Sequence, residues 1–512
     1  MTFKYTATAL ACMMTLMGCN SSDNDKEDIV IPELKTGRYV AGDFHVHSSV
    51  SEDAHTPVVE GLRRAFELYE LDFVFMSDHL RLTHRDDNNI QHETPLPVFD
   101  AIKKYQLQHF KQYEEQGKII IAGTEWNNDN YEHTNVWMFD DKPNSDSSID
   151  FMRQFEFYAQ DYDEHYYDQE EVLRWLEEGR RFDPETESLD AIKWLYDNIP
   201  AGQGLVQFNH PNRKGDNYSI TDYRDILNTA PGLMCAYEGL PGNQATDLRA
   251  EYEYDKYNGN IRSFVYGGVD YSVNELGGEW DALLAEGHKI YLTSNSDFHD
   301  AYAPGEYNKT LVWLDDDQAF DVPNIMNAVC SGKTVAMYGN LIEDLVYYGE
   351  SNRDRQMMGD NLVTDRGGDV TLTIRFKPSE GNPYTDNDDN DMDAPEVDHI
   401  DIIGGEMIER AQPGTQEYSQ AYNHTTRLHD RIFINDLELG DDGYYTIEHT
   451  VENVTTDMYF RIRGTNIEVN SDRMDRDGNP NVDFKRPAGP ETHLDNHESL
   501  WFYSSPIYVG VE

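Results

Sequence analysis

Residues 39–47 read Tyr39-Val40-Ala41-Gly42-Asp43-Phe44-His45-Val46-His47, an apolar run ending in two imidazoles. A run this short and this apolar reads as a buried strand. Strand residues two apart point the same way, so His45 and His47 share one side. The same figure recurs down the chain. A strand expected at 72–77 ends in Asp78 and His79, and one at 118–123 delivers Glu125. One at 135–139 follows His133, one at 204–209 delivers His210, and one at 289–294 delivers Asp297 and His299. A further strand is expected at 232–238. Amphipathic stretches at 57–69, 99–116, 189–198 and 279–286 lie between these runs and predict helices, the first with Thr56 as N-cap and Pro57 in the first turn. Strands alternating with helices over 39–339 imply an α/β fold with parallel strands. In α/β barrels the functional groups sit just past the C-terminal strand ends, which is where these polar groups fall. A barrel-like sheet carrying them at one mouth is therefore expected.

Beyond residue 339 the pattern changes. The stretches 370–376, 444–449, 458–463 and 506–509 alternate apolar and polar residues between Gly, Asn and Asp turns. Short strands of that kind predict a β-sandwich. The expected organisation is a leader at 1–19, a tether at 20–36, an α/β domain at 37–340 and a β-sandwich-like domain at 341–512. The acidic loop with Asp386, Asp388, Asp389, Asp391 and Asp393 lacks the Gly and terminal Glu of an EF-hand and reads as solvated, as do Asp472, Asp475 and Asp477.

At 512 residues the chain is long enough for roughly three domains or two large ones. Its 41 Lys+Arg against 96 Asp+Glu give a net charge of −55. That balance repels polyanions and argues against nucleic acid as a stable partner. Salt screens such charge beyond about 8 Å, so a small anion can still approach a locally positive centre. Cys12 and Cys19 belong to the leader; Cys235 and Cys330 remain, in no Cys-x-x-Cys arrangement, and are expected as buried free thiols rather than a pair.

The ligand set carries the chemistry. His45, His47, Asp53, His79, Glu125, His133, His210, Asp297 and His299 are imidazoles and carboxylates, which suit Zn, Mn or Fe. They exceed the needs of one tetrahedral zinc and match about two or three divalent ions sharing bridging groups. So many polar groups at a buried mouth would be costly without metal. For the third position Asp53 is preferred on its spacing from His47, with Glu52 beside it and His55 nearby as alternatives. Arg81, His84 and Arg85 follow His79, and Arg213 and Lys214 follow His210; these cations are candidates to clamp a phosphate. Asp78 is a candidate to orient His79 or to cap a turn.

These pieces resemble the PHP (polymerase and histidinol phosphatase) superfamily of metallohydrolases. The matching segments are Asp43-Phe44-His45-Val46-His47 with Ser51-Glu52-Asp53, Ser77-Asp78-His79, Gly123-Thr124-Glu125, His133, Asn209-His210-Pro211 and Ser296-Asp297-Phe298-His299. The segment 325–335, with Tyr338-Gly339-Asn340 and the β-rich tail, is similar to the carbaryl-hydrolase-like (CehA/McbA) branch. The resemblance implies a distorted (β/α) barrel. It implies a first ion on His45, His47, Glu125 and Asp297, a second shared by Glu125 with His133 and His210, and a third on Asp53, His79 and His299. Glu125 and Asp297, with Arg81 and Arg213, are the residues expected to carry catalysis. Leu16-Met17-Gly18-Cys19, behind Lys4 and the short apolar run 7–17, resembles the bacterial lipobox. That implies lipidation at Cys19 and anchoring in the cell envelope; the absence of Asp after Cys19 implies the outer membrane. An ordinary signal peptide is the alternative.

The expected function is metal-dependent hydrolysis of a small-molecule phosphoester, with a metal-bridging hydroxide attacking phosphorus. No Gly-x-Ser-x-Gly elbow offers a protein nucleophile. The same centre acting on a carboxylester or carbamate is the alternative. A third reading, a non-catalytic surface protein with a glycan-binding β domain, is opposed by the complete ligand set.

Overall fold

The computed structural model describes residues 31–128, 130–140, 142–215, 218–244, 260–300, 302–381, 394–482 and 496–512. The expected leader with Cys12 and Cys19, most of the tether, and Asp386, Asp388, Asp389, Asp391 and Asp393 lie outside the described residues. Among the described residues no helix is long and apolar enough to cross a membrane.

The strands that build the site are β1 (Gly37–Val46), β2 (Phe73–Met76), β3 (Ile119–Ile121), β4 (Thr124–Trp126), β5 (Thr134–Met138), β6 (Gly204–Phe208), β7 (Met234–Pro241), β8 (Tyr291–Asn295), β9 (Asn308–Asp315) and β10 (Thr334–Tyr338). β1, β2 and β3 run parallel in one sheet, and β6, β7 and β8 run parallel in a second. β4 and β5 extend the second sheet antiparallel, against the all-parallel expectation. Only residues 127–133 join β4 to β5, and a parallel crossover needs roughly a dozen residues or more.

The fold is mixed α/β, but the expected barrel does not close among the described residues. The two sheets stay separate and open. They are stitched together at single bridges, Val46 with Phe298 and His79 with Glu125. Both bridges fall at the strand ends that carry the imidazoles. Between the sheets, Phe44 and Phe75 meet Trp137 edge to face, and Phe73 meets Phe44 and Phe75 in the same way, with centroids 4.9 to 6.3 Å apart. Such pairs hold beyond their area burial by about 0.5–1.5 kcal/mol each and keep the sheets in register below the site.

The helix Val322–Cys330 packs on this aromatic core through Val322, Ile325, Met326 and Val329. Its last residue is disulfide-bonded to Cys235 on β7, with Cα atoms 5.2 Å apart, which corrects the free-thiol expectation. The pairing depends on where a helix lies against a strand 95 residues away, and spacing along the chain does not show it. The helix expected at 57–69 runs as Val58–Arg63 and then widens at Arg64–Leu68, with Pro57 rather than Thr56 as its cap and the Thr56 hydroxyl turned to Asp300 at 3.4 Å. The one expected at 99–116 is broken into Val98–Ala101, Ile102–Gln106, Leu107–His109 and Lys111–Glu114, and ends at Gly117 with φ +83°.

The later strands include β11 (Ile342–Glu350), β12 (Gly368–Pro378), β13 (His399–Glu406), β14 (Tyr445–Val454), β15 (Met458–Thr465), β16 (Trp501–Ser504) and β17 (Ile507–Val511). On β12, Val370, Leu372, Ile374 and Phe376 are buried while Thr371 and Arg375 reach solvent, the two-residue period of a sheet with one covered face. β11, β12 and β14 form an antiparallel sheet of their own. β16 pairs with β10, and β15 with β13, β16 and β17, so the first sheet runs on across residue 340. Asp472, Asp475 and Asp477 lie in a turn where Asp475 accepts the amides of Asp477 and Asn479.

Candidate metal centre

The strand ends bring all nine expected residues to one place. β1 ends on His45 and Val46; His47 follows, its amide donating to the Phe298 carbonyl at 3.0 Å, which draws in Asp297 and His299. The Leu80 amide donates to the Glu125 carbonyl at 2.7 Å, which sets His79 beside Glu125. Gly123 lets this turn form, because a Cβ there would stand 2.0 Å from the Trp137 ring.

Glu125 is the hub. Its Oε1 lies 2.9 Å from His133 Nδ1, 3.0 Å from His210 Nε2 and 3.3 Å from His45 Nε2. Its Oε2 lies 3.1 Å from His79 Nδ1 and 3.3 Å from His47 Nε2. Asp297 Oδ1 stands 3.1 Å from His45 Nε2 and 3.2 Å from His47 Nε2. Those two nitrogens are themselves 3.1 Å apart. His79 Nε2 is 3.1 Å and His299 Nε2 3.6 Å from Asp53. Ligand-type atoms of His45, His47, Glu125 and Asp297 all lie within 4.8 Å of one another, as do those of His47, His79 and His299, and of His79, Glu125 and His133.

Three imidazoles are oriented by their other nitrogen. His45 Nδ1 donates to Glu238 at 3.1 Å. Ser51 gives its own proton to Asp78 at 3.0 Å and so accepts from His47 Nδ1 at 3.0 Å. His299 Nδ1 donates to the Asp297 carbonyl at 2.8 Å. Each therefore turns Nε2 to the cluster. Asp78 acts through Ser51 on His47 rather than on the His79 ring. A layer of buried amides lies beneath: Asn209 donates to Glu125 at 3.0 Å and to Asn135 at 2.7 Å, and Asn295 donates to Glu238 at 3.1 Å. His210 and Asp297 both have positive φ, +22° and +49°. Such strain in two non-glycine residues persists only where the surroundings enforce it.

The donor set fits divalent metal. Both oxygens of Asp297 are buried, and neither accepts a well-aligned hydrogen bond although two imidazoles stand near. Nitrogens and oxygens that all face one point cannot be satisfied by protons, and a cation there satisfies them together. Electrostatics agree. Burial would raise Glu125 and Asp297, but the ring of imidazoles holds both well below the usual carboxylate range. Burial opposes charge on His45 and His47 too, yet the carboxylates prevail, lifting His45 well up and His47 to about 9. At His79 and His133 burial wins, and they fall to about 3 and about 4.

Asp53 faces the cluster from the exposed rim, its side chain 44% exposed, while Glu52 turns away to accept the His84 amide at 2.5 Å. His55 pairs with Asp300 at 2.8 Å instead. Of the candidate cations, Arg81 is bound to Asp53, and Arg213 and Lys214 reach Glu132 at 3.0 and 3.3 Å. His84 and Arg85 turn into the hairpin that follows, to the His92 carbonyl and to Asn89. Two buried carboxylates were not foreseen: Glu132, next to His133, and Glu238, the last residue of the run read at 232–238. Each groups with two of the imidazoles. Buried acids directly beside a ligand or closing an apolar run are the signal that could have found them.

No family model and no curated protein matches the chain. Among solved structures it is similar to a two-domain protein from Bacteroides vulgatus ATCC 8482 containing a predicted PHP-like metal-dependent phosphoesterase. The identity is 14% and the TM-score 0.33, over 90% of this chain and 99% of the other. A likeness at that level carries no argument about what this chain does.

Proposed function

We propose that this chain is a metal-dependent hydrolase of small-molecule phosphoesters, with its two stitched sheets serving as the distorted barrel of a PHP-type enzyme. The observation that carries the reading is the buried cluster around Glu125 and Asp297, above all the two Asp297 oxygens left without a well-aligned hydrogen bond. His45, His47, Glu125 and Asp297 would hold one ion, Glu125 with His133 and His210 a second, and Asp53, His79 and His299 a third. Divalent ions there would supply an activated water and polarise the ester oxygen. The chain's own part is to hold that centre. Ser51, Glu238 and the Asp297 carbonyl fix three imidazoles, and the amide layer fixes Glu125. Arg81, half exposed at the rim, is placed to meet an anionic substrate once it leaves Asp53. Chelation should abolish turnover of an aryl phosphate or bis-aryl phosphate, and added Mn or Zn should restore it. A metal-loaded protein inert to every phosphoester would sink the reading.

One observation favours a second reading, hydrolysis of a carboxylester or carbamate. Both Arg81 and Arg213 are already neutralised by carboxylates, so the mouth offers little net positive charge. Turnover of aryl ester without aryl phosphate would select it. Lipid anchoring at Cys19 in the outer membrane belongs to this proposal on the leader sequence alone; labelling with a radioactive fatty acid, lost in Cys19→Ala, tests it.

A further inference from the structure

Glu238 stands apart from the other carboxylates of the centre. It is fully buried on β7, and both of its oxygens are in use. Oε1 accepts from His45 Nδ1 at 3.1 Å and from Asn295 Nδ2 at 3.1 Å. Oε2 accepts the His210 main-chain amide at 2.8 Å. Asp297 shows the opposite pattern, both oxygens buried and neither taking a well-aligned hydrogen bond, although His45 and His47 Nε2 stand 3.1 and 3.2 Å from Oδ1. A carboxylate whose lone pairs are spent on N–H donors is poorly placed to ligate, while one left bare is well placed.

The reach of Glu238 is unusual. One side chain touches the ends of three strands: His45 on β1, the turn after β6 at His210, and Asn295 on β8. His210 sits at φ +22°, a conformation a β-carbon disfavours, and its amide bond to Glu238 is one of the contacts that hold it there. At His45 the bond decides the tautomer, because with the proton on Nδ1 only Nε2 is free to face Asp297, Glu125 and His47.

We propose that Glu238 is a positioning residue of the metal centre, fixing the tautomer of His45 and the strained turn of His210 at once, so that two imidazoles from different strands present Nε2 to the two neighbouring ion positions that share Glu125. Resting on the reading that this cluster binds metal, the proposal makes the ions held by His45 and by His210 depend on a residue that is a ligand of neither. Removing such an outer partner typically costs 10–100-fold in metal affinity.

The test is the affinity of the full protein for Co2+ and Zn2+ by competition with a chromophoric chelator, for wild type, Glu238→Gln and Glu238→Asp, with the visible Co2+ spectrum and the unfolding midpoint of the metal-free protein recorded alongside. Glu238→Gln preserves volume but turns a donor toward either His45 or His210. Glu238→Asp keeps the charge but is too short to reach both, and it carries the test where the amide variant does not fold. The expected result is the two ions held by His45 and by His210 bound 10- to 100-fold more weakly in each folded variant, with an altered Co2+ spectrum, the third ion on Asp53, His79 and His299 unchanged and the metal-free midpoint close to wild type. A folded variant with wild-type affinity for every ion, or one in which all ions weaken in step with a lowered midpoint, overturns the proposal. Wild type that binds no ion overturns the metal-centre reading itself, a separate and distinguishable failure.

Discussion

Replacing Glu125 with Gln removes one negative charge from the middle of five imidazoles at 2.9 to 3.3 Å. The cost in the metal-free protein follows from what those imidazoles then do. His47 holds its proton up to about 9 because Asp297 and Glu125 together outweigh burial. At pH 7 that is a margin of roughly two pH units, or about 2.7 kcal/mol, which caps the penalty through His47, since beyond it the ring simply loses its proton. His45 is lifted further, by Asp297, Glu238 and Glu125, and keeps two of those partners. Asn209, which donates to Glu125 Oε1, can still donate to an amide oxygen. The sum falls in the range of about 3–5 kcal/mol expected for breaking a buried charge network by one member. Chemical denaturation of metal-free wild type and Glu125→Gln at pH 7 measures it. Elemental analysis of the reconstituted variant should show fewer ions bound, because Glu125 is shared by two of the proposed ion sites. A variant as stable as wild type and loaded with the full metal complement would refute the placing of Glu125 at the hub.

Metal uptake should release protons: His45 and His47 are both charged in the metal-free protein at pH 7, so an ion must displace them, and affinity should rise with pH up to about 9 and fall on acidification. Calorimetry in buffers of different ionisation enthalpy reads the proton count directly, and no release would contradict the assigned charges. Arg81→Met should cost under about 1 kcal/mol of stability, since its pair with Asp53 is partly exposed, yet raise KM for an aryl phosphate at least tenfold while leaving KM for an aryl ester unchanged. Equal effects on both substrates would remove Arg81 from phosphate recognition. Replacing Cys235 and Cys330 by Ser should lower unfolding free energy by about 2–4 kcal/mol, as should a reductant on wild type, with an unchanged denaturation midpoint counting against a stabilising role for the bond.

Much of the site was legible because its residues sit where apolar runs stop. His45, His47, His79, Glu125, His210, Asp297 and His299 each close or follow a run that folds as a buried strand, and period and position suffice to group them. Asp53 was less legible because Glu52 and His55 are equally near along the chain; only the fold turns Glu52 to His84 and His55 to Asp300. Glu132 and Glu238 left a mark in the sequence, one beside His133 and the other closing an apolar run, but what they touch lies across the sheets and gave no local sign of their roles. The α/β alternation was readable, but strand direction at β5 was set by the short link 127–133, and the barrel gave way to two sheets joined by single bridges. The β-rich end was readable from its two-residue period; that its strands β15 and β16 continue the first sheet through β10 was not, since pairing across more than 160 residues leaves no local mark.

The most direct test of the central claim is the metal content of the purified protein by elemental analysis, with turnover of bis-aryl phosphate followed before chelation, after it, and on adding back Mn or Zn. The account predicts about two or three divalent ions per chain and phosphoester turnover that disappears and returns with them. A reconstituted protein that binds no divalent ion would contradict it outright.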